Sequence, residues 1–141
     1  MNFGLINKYM LLGGGKLLCL IAQELRGKYE VFVVTSERHS TELINVDQTP
    51  ISLVEFLERE QIDFKVSKDI TRDSVVASKI GDDTIGISFG AAWIFRQQFI
   101  DLFAGRLFNC HGTRLPQGRG GGAFSWDIMR REGRNKLITS S

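Results

Sequence analysis

Short runs dense in apolar and β-branched residues alternate along this chain with stretches whose apolar positions recur every three or four residues. Lys8–Leu12 (KYMLL) predicts a buried strand that ends in a turn at GGGK. Leu17–Gly27 places Leu18, Ile21, Ala22 and Leu25 at helical spacing and closes on Gly27. Glu30–Ser36 (EVFVVTS) predicts a second strand. Ser52 and Glu55 form a capping-box pattern, with Ile51 and Phe56 placed as a hydrophobic staple, so SLVEFLEREQ predicts a helix. DFKVS follows as a short strand and RDSVVASKI as a helix. Thr84–Gly90 (TIGISFG) carries no charge, as expected of a strand at a sheet centre covered on both faces. Ile94–Gly105 sets Phe95, Phe99, Leu102 and Phe103 at helical spacing, with Gly105 ending the helix. RLFNC predicts the next strand, and AFSWDIMRREG a helix with Arg130 and Arg131 in its last turn. KLITSS reads as a strand just begun.

Strands alternating with helices predict an α/β fold of three layers around a mostly parallel sheet. Ligands of such sheets bind beyond the C-terminal strand ends. Three stretches are therefore candidates for chemistry: Gly13–Lys16, Phe89–Phe95 and Asn109–Gly122.

Composition narrows the class. A chain of 141 residues, 43% hydrophobic and 24% charged, is long enough for one domain with a real core. A net charge of +2 is too weak to argue for a nucleic-acid partner. Cys19 and Cys110 match no metal spacing, and two cysteines without a secretory signal fit a reducing compartment. No apolar run is long enough to span a membrane, so the expected location is the cytoplasm.

The glycine loops invite a nucleotide reading that their spacing does not support. The dinucleotide fingerprint needs a third glycine where this chain has Leu18. A Walker loop would need glycine at Met10 and Ser or Thr at Leu17. GGGK is read as a tight turn, or as a backbone at Gly13 and Gly14 that approaches substrate. GRGGG is too brief for an RNA-binding segment and fits a loop whose backbone lies close to a ligand.

Asn109 and His111 stand two apart at a strand end and so project to one side, with Cys110 turned into packing. The pair suits acyl transfer. An asparagine amide donates to a carbonyl oxygen becoming an oxyanion, and an imidazole moves a proton near neutral pH. The plain alternative is a strand-end histidine satisfied by local backbone.

NCHGTRLPQGRGG resembles the signature of the 10-formyltetrahydrofolate-dependent formyltransferases, Asn-x-His-x-Ser/Thr-x-Leu-Pro followed by Arg-Gly. Asn109, His111, Thr113, Leu115, Pro116, Arg119 and Gly120 match it. ISFGAAWIFRQQFIDLFAGRLFN resembles the family's strand, pterin-contacting turn and helix. AFSWDIMRREG resembles the helix that follows, with Trp126 in a familiar aromatic position. The resemblance implies a Rossmann-like formyltransferase fold over residues 1–141 as one catalytic domain, truncated before the family's catalytic-aspartate loop as a fragment or a degenerate domain, and formyl transfer to a primary amine. It implies that Asn109 binds the formyl oxygen, that His111 stabilises the tetrahedral intermediate, and that the backbone of Trp93, Ile94 and Phe95 holds the pterin. It implies substrate contacts at Gly13, Gly14, Thr113 and Arg119, and no metal. Asn109 and His111 are expected to face one cleft with Trp93 across from them.

Two departures bear on activity. The family's third catalytic residue, an aspartate, has no counterpart before Ser141, since Asp127 and Glu132 do not match it. Low activity of these 141 residues is the expectation. Gly112 stands where many relatives carry proline, which leaves that loop less rigid. The expected acceptor is a nucleotide-linked amino sugar or similar small amine. Methionyl-tRNA or glycinamide ribonucleotide formylation is the alternative within enzymes. A non-catalytic folate- or nucleotide-binding module is the alternative of another class.

Overall fold

A computed structural model describes residues 5–112, 124–129 and 136–140. Nine strands and five α-helices occur among them, in the order β1 (Lys8–Gly13), α1 (Lys16–Leu25), β2 (Glu30–Thr35), α2 (Glu37–Ser40), β3 (Leu43–Ile44), β4 (Ile51–Ser52), α3 (Leu53–Arg59), β5 (Asp63–Val66), a 3₁₀ turn (Ile70–Arg72), α4 (Ser74–Ser78), β6 (Thr84–Phe89), α5 (Gln97–Asp101), β7 (Leu107–Gly112), β8 (Phe124–Ile128) and β9 (Lys136–Ser140). The main sheet runs β5-β2-β1-β6-β7-β8-β9. Its first five strands are parallel, and β8 and β9 extend it in antiparallel fashion. β3 and β4 form a separate antiparallel pair.

Strand alternation divides the core into two layers. Leu11 pairs with Val33 and Ile87 and packs with Leu18, Cys19 and Ala22 of α1 and Phe56 of α3. Met10 and Leu12 belong to the opposite face, with Phe32 and Val34, and meet Ile70, Val76 of α4, Phe99 of α5 and Phe103. Every described strand at the centre is thus covered on both faces, which is why β6 carries no charge. Gly86 of β6 serves this packing, because a Cβ there would come within 2.5 Å of the Phe103 ring.

The capping box holds in full. Ser52 Oγ accepts from the Glu55 amide at 3.1 Å, and Glu55 Oε1 accepts from the Ser52 amide at 3.3 Å. Ile51 packs against the cluster that contains Phe56.

Two expectations need correction. The helix expected over 123–133 is strand β8 at Phe124–Ile128, so Asp127 pairs with Asn109 across the ladder. Phe124, Trp126 and Ile128 alternate with Ser125 and Asp127. That period of two, in aromatic and β-branched residues, is a strand pattern. The helix expected over Ile94–Gly105 is confined to Gln97–Asp101. Arg96 precedes it with extended backbone, at ψ 157, and Ala104 and Gly105 take positive φ after it. The aromatic spacing keeps its packing role. Phe95 stacks on Phe99 and Phe99 meets Phe103 edge-on, each pair 5.5 Å between centroids.

Candidate active site at the C-terminal strand ends

The strand order reverses between β1 and β6, which places a crevice beyond their C-terminal ends. In register, Gly13 of β1 lies opposite Phe89 of β6, and Phe89 lies opposite Cys110 of β7. The three stretches singled out in the sequence therefore begin side by side at one end of the sheet.

Gly13 has φ +122, and a Cβ there would stand 2.2 Å from the Phe89 carbonyl oxygen. The Gly14 amide donates to that same oxygen at 3.2 Å. A Cβ on Gly14 would meet His39 at 2.7 Å. Both glycines are thus required by close packing across the switch point.

His39 is buried behind this turn, a residue that sequence reasoning left unassigned. Its Nε2 lies 3.2 Å from Arg38 Nη2, and its Nδ1 lies 3.2 Å from Ser36 Oγ. A guanidinium only donates, so Nε2 accepts and Nδ1–H donates to Ser36. Ser36 also caps α2 by accepting from the His39 amide. The signal in the sequence was Ser36 three residues before His39, at the end of an apolar strand.

Asn109 shares its sheet face with Ser88 and Leu107, the face covered by α5, and is partly exposed. Cys110 points the opposite way into the other layer, at 4% exposure, and burial raises its thiol pKa. Backbone register puts His111 two positions beyond Asn109, opposite Ser125. Thr113 and Arg119 lie outside the described residues.

Trp93, Ile94 and Phe95 follow β6 on that same face. Trp93 Nε1 donates to the Ser67 carbonyl at 3.0 Å, which ties this turn to the loop after β5. Trp93 and Phe95 pack against the α5-side core, while Ile94 is 76% exposed. Among the described residues the backbone N–H and C=O groups of Ala92–Phe95 make no hydrogen bond. A segment outside helix and strand whose donors and acceptors are unbonded can bind the polar edge of a heterocycle.

Trp93 and Ile94 line a cleft of about 560 Å³. Its opposite wall is Lys68, Asp69 and Arg72, and Arg96 closes the near side. Trp93 thus looks across onto the loop after β5. Lys68, Arg72 and Arg96 escaped the sequence reading because loop charges without regular spacing carry no pattern. Among the described residues, no group of three His, Cys, Asp or Glu side chains is placed to hold a metal ion, and no helix is long and apolar enough to cross a membrane.

No family model and no curated protein matches this chain. Solved structures do. The phosphoribosylglycinamide formyltransferase of Streptococcus pneumoniae superposes with a TM-score of 0.56 at 13% identity, over 95% of this chain and 82% of its own. A formyltetrahydrofolate deformylase from Pseudomonas syringae gives 0.55 at 12% identity, over 100% of this chain and 54% of its own. An N-formyltransferase from Helicobacter canadensis, solved with folinic acid and dTDP-3-aminofucose, gives 0.52 at 13% identity, over 96% and 54%. Likeness at this identity establishes architecture rather than activity. The chain has the Rossmann-like fold of the formyltransferases.

Proposed function

We propose that residues 1–141 form a single catalytic domain that transfers a formyl group from 10-formyltetrahydrofolate to a primary amine, most suitably a nucleotide-linked amino sugar or similar small amine. The observation that carries this reading is the position of Asn109. It stands near the C-terminal end of β7, on the sheet face shared with the unbonded backbone of Trp93–Phe95, next to the strand-order reversal.

In this reading the pterin lies along Trp93–Phe95, and its formyl group reaches Asn109. The acceptor amine attacks the formyl carbon and a C–N bond forms. The carbonyl oxygen becomes an oxyanion that accepts from the Asn109 amide. His111 takes the proton released by the amine and returns one to N10 as the C–N10 bond breaks. Gly13, Gly14, Thr113 and Arg119 contact the acceptor.

The test is formyl transfer, with formate release followed in parallel, to a nucleotide-linked amino sugar, glycinamide ribonucleotide and methionyl-tRNA. Asn109→Ala is expected to cost about 100-fold or more in kcat, the usual effect of losing an oxyanion donor. His111→Ala is expected to cost at least as much. Transfer that survives both substitutions overturns the assignment. Formate release without any acceptor would make the chain a hydrolase, the activity named for the Pseudomonas syringae neighbour. Folate binding with no transfer and no hydrolysis would make it a binding module.

A further inference from the structure

The glycine turn after β1 is held in place by two other elements. The Gly14 amide donates to the Phe89 carbonyl at 3.2 Å, which ties the turn to β6. His39 of α2 backs it: a Cβ on Gly14 would stand 2.7 Å from His39 Cβ and Cγ and 2.9 Å from Cδ2. At Gly15, by contrast, an added Cβ would meet no atom within 4 Å. A ligand that touches this turn therefore has room at Gly15, while His39 fixes what lies behind Gly14.

The imidazole is held at both nitrogens. Nδ1 lies 3.2 Å from Ser36 Oγ, and Nε2 lies 3.2 Å from Arg38 Nη2. Because a guanidinium only donates, Nε2 carries no proton and Nδ1 carries one. Packing behind a glycine requires neither bond, since an apolar side chain of similar size would fill the same space. The Nε2 bond acts instead on Arg38. That side chain is exposed, and among the described residues it makes no ion pair. An exposed arginine is spread over many rotamers. A bond to a buried ring that is itself wedged against Gly14 selects one of them. The guanidinium then stands one imidazole and one hydrogen bond away from the turn. Its other N–H groups have no partner among the described residues.

We infer that His39 is a positioning residue: through Nε2 it holds the Arg38 guanidinium at the rim of the Gly13–Gly15 turn, where the guanidinium donates to an oxygen of the bound acceptor. The inference rests on the proposed function in taking the ligand of this turn to be the acceptor amine. His39 touches no reacting atom and acts only by aiming Arg38. Its loss therefore falls on the acceptor and leaves the folate donor untouched.

The experiment is calorimetric titration of the 141-residue chain with dTDP-3-aminofucose, the amino sugar in the Helicobacter canadensis structure, and separately with 5-formyltetrahydrofolate. It is run on the native protein and on Arg38→Ala, His39→Leu, His39→Gln and Arg38→Ala/His39→Leu, with circular dichroism verifying each fold. Leucine fills the space behind Gly14 and makes no hydrogen bond. Glutamine fills it and keeps an oxygen that accepts from Arg38. His39→Leu and Arg38→Ala should each lose about fivefold or more in affinity for the amino sugar. The double variant should lose no more than the larger single loss, because the two residues act in series. His39→Gln should return to within about twofold of native, and 5-formyltetrahydrofolate should bind every variant within about twofold. Nitrogen-15 spectra add a readout that packing does not move. The His39 imidazole should be protonated at Nδ1 in the native chain and should lose that preference in Arg38→Ala. Equal losses for leucine and glutamine would reduce His39 to packing and overturn the inference. So would an imidazole protonated at Nε2 in the native chain, a native chain that does not bind the amino sugar, or an affinity that Arg38→Ala leaves unchanged. Formyl transfer to glycinamide ribonucleotide or methionyl-tRNA that none of these variants affects keeps the proposed function and overturns this inference. The expected pattern of amino-sugar affinities in a chain that transfers nothing sinks the proposed function and leaves His39 and Arg38 in their roles at the turn.

Discussion

Gly13→Ala should unsettle the switch point more than Gly14→Ala does. The new Cβ would lie 2.2 Å from the Phe89 carbonyl oxygen and 2.9 Å from its carbon, where ordinary contact begins at 3.4 Å. The obstructing atoms are backbone and cannot rotate away, so β1 and β6 would have to part by about 1 Å at their C-terminal ends. Overpacking of this kind costs about 1–3 kcal/mol. A non-glycine residue at φ +122 adds about 1–3 kcal/mol of backbone strain. The sum is about 4 kcal/mol, or roughly 10 °C in Tm for a domain of this size. Urea and thermal unfolding followed by circular dichroism measure it. Gly14→Ala provides the contrast. Its obstruction is the His39 side chain at 2.7 Å, so truncating that side chain should relieve it, and His39→Ala/Gly14→Ala should be less destabilised than the two single changes added together. A loss below about 1 kcal/mol for Gly13→Ala would refute the close approach of the two strands. Strict additivity at Gly14 and His39 would refute their contact.

Other consequences concern the opposite end of the sheet and the loop beside the cleft. Arg106 is buried at 6% exposure and donates from Nε to the Thr84 carbonyl at 2.9 Å and from Nη2 to the Gly81 carbonyl at 3.0 Å. Arg106→Ala strips a charged donor from two carbonyls, and urea unfolding should show a loss of about 3 kcal/mol; a loss within about 0.5 kcal/mol would count against the bonds. Asp73 is pushed upward in pKa by burial, but the Lys65 hydrogen bond at 2.7 Å and the α4 amides outweigh this and hold it below its usual value. A depressed carboxylate contributes stability that is complete above its unfolded pKa of about 3.9 and is lost as pH falls through the lower folded value. The urea midpoint of the native chain should therefore fall more steeply below about pH 4 than that of Asp73→Asn, and parallel curves would remove Asp73 from the account.

How far the sequence reveals this protein differs from one link to the next. The parallel strands were legible because each is a compact apolar run, and the α3 boundary was legible because Ser52 and Glu55 announce it chemically. α5 was overextended for a physical reason. Phe95, Phe99 and Phe103 do stack along one line, but only the middle one lies within the helix, so side-chain spacing persisted where the backbone ladder did not. β8 carries a misleading helix signal, because Arg130, Arg131 and Gly133 resemble a helix C-terminus, while the alternation of Phe124, Trp126 and Ile128 is the pattern the backbone follows. The nearness of the three glycine- or motif-bearing turns was legible because each follows a strand, and topology alone brings such turns together. The partners across it were not. Gly14 rests on His39 from another strand end, and Trp93 looks onto Lys68 and Arg72 from a third, separations of 21 to 25 residues that no local pattern encodes. What a single sequence marks is the residue that must have a special backbone or a reactive group. Which residue stands opposite is decided by strand order, and in this fold the order places the cationic loop after β5, with Lys68 and Arg72, beside a turn whose own backbone at Ala92–Phe95 is left unbonded among the described residues.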